Sequence, residues 1–298
     1  MTGAIYETNL SSLPLLQRGK VRDLYQIDDN RLLIIQTDRI SALDTILPTA
    51  IPGKGRILTE MSKFWFKKFS PLIDTHYLDD DPLAFVSQSD KKMVRGRSLV
   101  VAKTTPLPIE AVVRGYLAGS GWKQYKLSGQ ICGQNLVDGL EIAEKLEVPI
   151  FTPTTKASLG DKDQNISFET MEGLIGSNLS KDIRKMSLLL YTNALDHCFE
   201  RGIIVADTKF EFGLNKENNL ILIDEVLTPD SSRFWSAKSY KIGYAPPSYD
   251  KQEVRDWLND TEDSEKYQRP PEIPDKIITA TQNKYKNIMQ TLCHSKKI

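Results

Sequence analysis

Cysteine is scarce in this 298-residue sequence: Cys132, Cys198 and Cys293 are odd in number, widely spaced and form no C-x-x-C pair. His76, His197 and His294 are just as scattered, so neither a zinc site nor a disulfide framework is visible, and free thiols in a reducing compartment are expected. No run approaches the ~20 apolar residues of a membrane span, and the first residues carry no apolar signal core. Cytoplasm is therefore the expected location, without membrane association. Charge of one sign is missing as well. Lys plus Arg and Asp plus Glu number 39 each, which gives no global basic surface for releasing counterions from a nucleic-acid backbone. That balance argues against nucleic acid as a partner. It leaves open a small phosphorylated ligand, which needs only a few local cations.

What is present is an ordinary globular composition, 40% hydrophobic and 26% charged, with length for one large or two modest domains. R-G-K-V-R-D-L-Y, residues 18–25, alternates Val21, Asp23 and Tyr25 against Lys20, Arg22 and Leu24, a strand entered through Gly19. Asp28-Asp29-Asn30 turns it into a second strand at residues 31–37. Ile57, Met61, Trp65 and Phe69 recur every four residues and predict an amphipathic helix that Pro71 stops. A strand at 98–103 leads into T-T-P-L-P, which the prolines hold extended. This stiff crossing is the expected hinge between a domain of residues 1–107 and a larger one of residues 108–298. Beyond it come a strand at 109–116, a helix from Ser180 to about Arg201 with Ser180 as cap, strands at 203–212 and 220–224, and a helix at about 276–292. Helices mixed with hairpins point to an α+β fold.

The chemistry concentrates in V-A-D-T-K-F-E-F-G, residues 205–213, answered by L-I-L-I-D-E at 220–225. Alternate residues of a strand share a face, so Asp207, Lys209 and Glu211 project together. Pairing of Glu211 opposite Asp224 is expected to bring two carboxylates within ~5 Å. Such a pair repels unless a cation lies between, and oxygen-only ligands suit Mg2+. The plainer alternative is a salt-bridge ladder on a solvated face. T-P-D-S-S-R at 228–233 supplies hydroxyls and Arg233 for a phosphate, or merely a capped turn. V-V-R-G-Y-L-A-G-S-G offers Arg114 beside a glycine loop matching neither a Walker loop nor a dinucleotide fingerprint. Lys20 and Arg22 beside Gly19 are suited to ATP phosphates or to solvent.

Taken in order, R-G-K-V-R-D-L-Y, T-D-R-I-S-A-L-D, V-V-R-G-Y-L-A-G-S-G, F-T-P-T-T-K-A, A-D-T-K-F-E-F-G and D-E-V-L-T-P-D-S-S-R-F-W resemble the SAICAR synthetase family over nearly the whole chain. The resemblance implies a two-domain α+β fold with antiparallel sheets, related to ATP-grasp and kinase-like nucleotide sites, with ATP in the cleft between domains. It implies an amide-forming ligase that joins L-aspartate to carboxyaminoimidazole ribonucleotide (CAIR) using ATP and Mg2+. Lys20, Arg22, Lys156 and Glu110 would serve ATP, with Leu107 to Glu110 at the adenine. Glu211 and Asp224 would hold the metal. Arg114, Ser120, Ser232 and Arg233 would clamp the substrate 5′-phosphate, while Asp44, Asp207 and Lys209 would position the reacting groups. The expected partners are these small molecules, in a monomer or small homo-oligomer. Lys162 stands where the family often has histidine in G-x-H-D-x-N, whereas Asp163 and Asn165 are retained. A kinase with a related ATP site and a non-catalytic nucleotide-binding scaffold are the competing readings. The absence of catalytic-loop and D-F-G signatures counts against a protein kinase.

Overall fold

The computed structural model describes residues 3–43, 45–156, 163–260 and 270–294. Apolar alternation in the first third builds a five-stranded antiparallel sheet from β1 (Leu15–Arg18), β2 (Arg22–Gln26), β3 (Arg31–Gln36), β4 (Tyr77–Leu78) and β5 (Ser98–Ala102), in the order β1-β2-β3-β5-β4. Val21, Asp23 and Tyr25 are buried while Lys20, Arg22 and Leu24 face the other way, the two-residue period read from the sequence. Asp28 forms the β2–β3 turn by accepting the amides of Asn30 and Arg31. Helix α1 (Lys54–Phe69) lays Leu58, Met61, Trp65, Phe66 and Phe69 into the core.

A seven-stranded antiparallel sheet forms the rest of the framework: β6 (Thr105–Pro106), β7 (Ile109–Tyr116), β8 (Lys145–Phe151), β9 (Thr154–Thr155), β10 (Ile203–Leu214), β11 (Leu220–Ile223) and β12 (Ser232–Ser236). Strand β10 is its axis. It pairs with β7, β12, β11 and β6, so neither edge is left open for long. Besides a single helical turn at Lys91–Val94, the further helices are α2 (Gly119–Ser128), α3 (Phe168–Ile175), α4 (Ser177–Phe199), α5 (Gln252–Asp260) and α6 (Asp275–Cys293). On α6, Thr281, Tyr285, Ile288 and Leu292 are buried, and Ile278, on the same apolar stripe of the sequence, is half-buried.

The two sheets are stitched together at one corner. Thr75 bridges Leu222 in parallel, His76 N–H donates to the Leu222 carbonyl, and the His76 carbonyl accepts from Ala102. The largest apolar cluster runs without a break from α1 and β5 through β7 and β10 to α4 and α6.

Ser180 is not the cap expected of it. It lies inside α4, buried, with its hydroxyl donating to the Gly176 carbonyl, because Gly176 at φ 88° already separates α3 from α4. The capping serine is Ser167, which accepts from Thr170 N–H at the start of α3. Among the described residues no helix is long and apolar enough to cross a membrane.

Candidate functional site

Strand β10 carries the site. Asp207, Lys209 and Glu211 share one face of it, and different neighbours meet each end. At the Glu211 end a cleft of about 470 Å³ lies between the sheets, lined by the glycine turn at Gly19 to Arg22, by aliphatic Leu24, Leu32, Ile34 and Val101, and by Glu110, Lys156, Asp163, Lys209, Glu211 and Asp224. The apolar walls suit a flat heterocycle and the charged floor suits phosphates.

The expected pairing of Glu211 with Asp224 needs correction. Glu211 stands opposite Ile223, and Asp224 lies one residue beyond β11. Continued as a strand, Asp224 would point to the opposite face from Glu211. Its backbone instead turns at φ 70°, a left-handed conformation that Asp tolerates better than most residues, and its carboxylate lines the same cleft as Glu211. Arg22 pairs with Asp224 and reaches Glu225 at 3.4 Å. Lys209 bridges Glu110 at 2.5 Å and Glu211 at 3.0 Å, and Lys156 pairs with the other Glu211 oxygen. Glu211 is 6% exposed, which rules out a ladder on a solvated face.

These contacts set opposite titration behaviour for the two carboxylates. Burial opposes ionisation of Glu211, yet Lys209, Lys156 and Arg22 hold its pKa well below the usual carboxylate range. Burial also dominates at Asp224, and with Glu211 and Glu225 beside it outweighs Arg22 and pushes it up to about 6. Lys209 is raised well above an ordinary lysine: burial works against its charge, but Glu211 and Glu110 prevail. One Asp224 oxygen, Oδ2, is buried without a hydrogen-bond partner. An orphaned carboxylate oxygen beside a second carboxylate is the donor set that a hard divalent cation takes, completed by phosphate and water oxygens. Among the described residues no group of three or more His, Cys, Asp or Glu could hold a metal alone, so protein ligation would rest on Glu211 and Asp224.

At the Asp207 end two arginines converge. Arg114 donates to Asp207 Oδ2 at 3.0 Å, to Thr152 Oγ1 at 3.0 Å and to Ser120 Oγ at 3.0 Å; Arg233 donates to the same Asp207 oxygen at 2.5 Å. Arg233 Nε lies 4.0 Å from Asp250, which also pairs with Arg255. Burial depresses Arg114, whereas Asp207 and Asp250 overcome burial and raise Arg233. The A-G-S-G loop opens α2, whose first turn has no side-chain cap and no acidic residue, leaving its N–H groups for an anion. Its glycines are required by close approach. A Cβ at Gly119 would sit 2.3 Å from Arg233 Nη2, and one at Gly121 3.0 Å from Arg114 Cδ. A second cavity of about 470 Å³ adjoins this end, lined by Gly119, Trp122, Lys123, Arg233, Trp235 and Gln252, among others.

Lys20, Arg22, Lys156, Glu110, Lys209, Glu211 and Asp224 are thus gathered in the cleft, and Arg114, Ser120, Asp207 and Arg233 around one carboxylate. Ser232 does not join them. It pairs with Thr208, and its hydroxyl lies 2.7 Å from Thr208 Oγ1, on the face opposite to Asp207 and Arg233. Asp44 and Lys162 lie outside the described residues. Sequence reasoning missed Glu225, which accepts from Thr228 as well as from Arg22, although the D-E pair was a local signal. It missed His76 and Asp250 too, which no local pattern marks. His76 lines the cleft, and burial lowers its pKa to about 3.

A family model described as SAICAR synthetase matches residues 15–272. A phosphoribosylaminoimidazole-succinocarboxamide synthase of Nitrosomonas europaea is 52% identical over 292 residues, covering 98% of this chain and 99% of its own. One of Cupriavidus metallidurans is 49% identical over 296 residues, covering 98% of each. Among solved structures, a SAICAR synthase from Saccharomyces cerevisiae complexed with SAICAR superposes with a TM-score of 0.88 at 42% identity, covering 98% of this chain and 99% of that one. A type-2 SAICAR synthetase in complex with ADP gives a TM-score of 0.71 at 25% identity, covering 96% and 100%.

Proposed function

The chain belongs to the SAICAR synthetase family, and from that premise we infer an ATP-dependent ligase of purine biosynthesis that joins L-aspartate to CAIR, giving the succinocarboxamide, ADP and phosphate. The observation that carries this reading is one strand face, Asp207-Lys209-Glu211, linking a nucleotide-sized cleft to a two-arginine clamp. ATP fits the cleft, with its base between Leu24, Leu32, Ile34 and Val101 beside the hinge at Leu107 to Glu110. Lys20 and Arg22, which line the cleft, would cover its phosphates, and Lys156 would reach them. The same reading divides the chain into residues 1–107 and 108–298, with the nucleotide between.

An amine does not displace oxide from a carboxylate at neutral pH. Transfer of the γ-phosphoryl group to the imidazole carboxylate gives an acyl phosphate and ADP. The aspartate amine then adds to its carbonyl carbon, the C–O bond to phosphate breaks, and the amine proton is lost to solvent. The protein's share is positioning and charge neutralisation. Lys209, held cationic by Glu110 and Glu211, faces the negative charge on the transferred group. Asp207 sets Arg114 and Arg233 so that, with Ser120, they grip the 5′-phosphate; Ser232 supports this end from behind through Thr208. Glu211 and Asp224 fit Mg2+, which when bound neutralises charge on the ATP phosphates. Asp44 retains its proposed part in positioning the ribonucleotide.

The test is ADP release from ATP and CAIR, with and without aspartate. Aspartate-dependent turnover to a stable amide supports the ligase. Equal turnover without aspartate turns the reading into a kinase, and no turnover into a binding scaffold.

A further inference from the structure

Arg39, in the T-D-R-I-S-A segment, lines neither the cleft nor the arginine clamp and is 2% exposed. Its guanidinium donates from Nε to the Lys20 carbonyl at 3.1 Å, and from Nη2 to the carbonyls of Gly19 at 3.0 Å and Arg22 at 3.1 Å. Nη2 also donates to Asp23 Oδ1 at 2.7 Å, and Nη1 donates to the Tyr6 carbonyl at 2.6 Å. The fourth carbonyl of the turn, that of Val21, accepts both the amide and the hydroxyl of Thr37, at 3.1 and 2.7 Å. Every backbone carbonyl from Gly19 to Arg22 is therefore held by the tripeptide Thr37-Asp38-Arg39. In a trans peptide the N–H points opposite to the C=O, so carbonyls drawn onto Arg39 turn the amides of Lys20 and Val21 away from it. Such successive N–H groups make an anion-binding concavity. Gly19, Lys20, Val21 and Arg22 all line the cleft.

We propose that Arg39 is a positioning residue for the nucleotide phosphates: it fixes the glycine turn from behind, so that the turn's amides and Lys20 meet them already in place. The proposal rests on the reading that this turn covers ATP. Lysine at position 39 would keep the charge beside buried Asp23, but a single ammonium with three donors cannot serve five acceptors arranged around a planar fork.

The experiment measures ADP affinity by calorimetry, and KM for ATP and for CAIR, on the full chain carrying Arg39→Lys, Lys20→Ala or both. For Arg39→Lys the expected result is a roughly 10- to 100-fold loss of ADP affinity with a matching rise in KM for ATP, the size seen when supporting groups are removed. KM for CAIR should stay within about twofold, and the double variant should lose less than the two single losses combined, because both act through the same turn. If Lys20→Ala loses nucleotide affinity while Arg39→Lys keeps it, the inference fails and the nucleotide reading stands. If Lys20→Ala keeps full affinity, the reading itself fails. Equal weakening for ATP and CAIR would make Arg39 a general structural residue and overturn the proposal. Should Arg39→Lys not fold, Thr37→Val carries the test: a several-fold nucleotide-specific loss supports the proposal, and unchanged affinity sinks it.

Discussion

The two ends of β10 hold charge in opposite ways. Around Glu211, four carboxylates (Glu110, Glu211, Asp224 and Glu225) are paired with Arg22, Lys156 and Lys209. Around Asp207, the buried Arg114 and the half-buried Arg233 share one carboxylate oxygen, with Asp250 itself tied to Arg255. One end carries an excess of anion and an orphaned oxygen; the other carries an excess of cation beside an uncapped helix. A strand with alternating faces can thus present a cation site and an anion site in a line. Because the environment is buried, each excess has a stronger effect than it would in water.

The largest effect should come from neutralising the anionic end. Asp224→Asn or Glu211→Gln is expected to lower turnover by roughly 100- to 1,000-fold, the scale of losing a preorganised charge at a reacting phosphate. Circular dichroism should show the fold intact, and near-normal turnover in limiting magnesium would sink the metal assignment. Breaking the cationic end should read differently. Arg233→Ala should raise KM for CAIR about 10- to 100-fold, as expected for a lost charge-assisted hydrogen bond, and leave ADP affinity untouched. A variant that weakened both ligands equally would erase the comparison.

The stability of the metal-free fold should also depend on pH. Asp224 is pushed up to about 6 in the fold, so between its ordinary value near 4 and that point the folded state binds more protons than the unfolded one. Its share of metal-free stability is therefore full below pH 4 and is lost as pH rises through 6, by on the order of 1 to 3 kcal/mol. Denaturant titrations at pH 4.5 and 7 should show this slope in the parent and a shallower one in Asp224→Asn; parallel slopes would contradict it. The smallest change belongs to Ser120→Ala. Removing one neutral hydroxyl should raise KM for CAIR only about 3- to 10-fold, and a loss as large as that of Arg233→Ala would mean that Ser120 does more than donate to a phosphate.

The alternation of Asp207, Lys209 and Glu211 was legible because a strand has a period of two and because Val205, Phe210 and Phe212 mark the buried sides. The placement of Asp224 was not. A left-handed residue at a strand end is decided here by Arg22 and by the Thr75–Leu222 stitch, both of which join distant segments. Ser232 shows the reverse. Read as part of a turn, it was grouped with Arg233. As strand residues the two must face apart, and the alternation that worked on β10 would have separated them. Ser180 was misread because a glycine break between two helices resembles a loop before one.

Strand β10 also fixes a length. Asp207 and Glu211 are four residues apart on a strand hydrogen-bonded along both edges, which sets them about 13 Å from one another at ~3.3 Å per residue. The strand is thereby a ruler. Under the proposed site assignment, a ligand gripped by its phosphate at one end must bring its reactive carboxylate to the other, and analogues a bond or two shorter or longer should bind at the clamp yet present the wrong atom to the nucleotide. Selection among ribonucleotides then rests on reach as much as on the chemistry of the base.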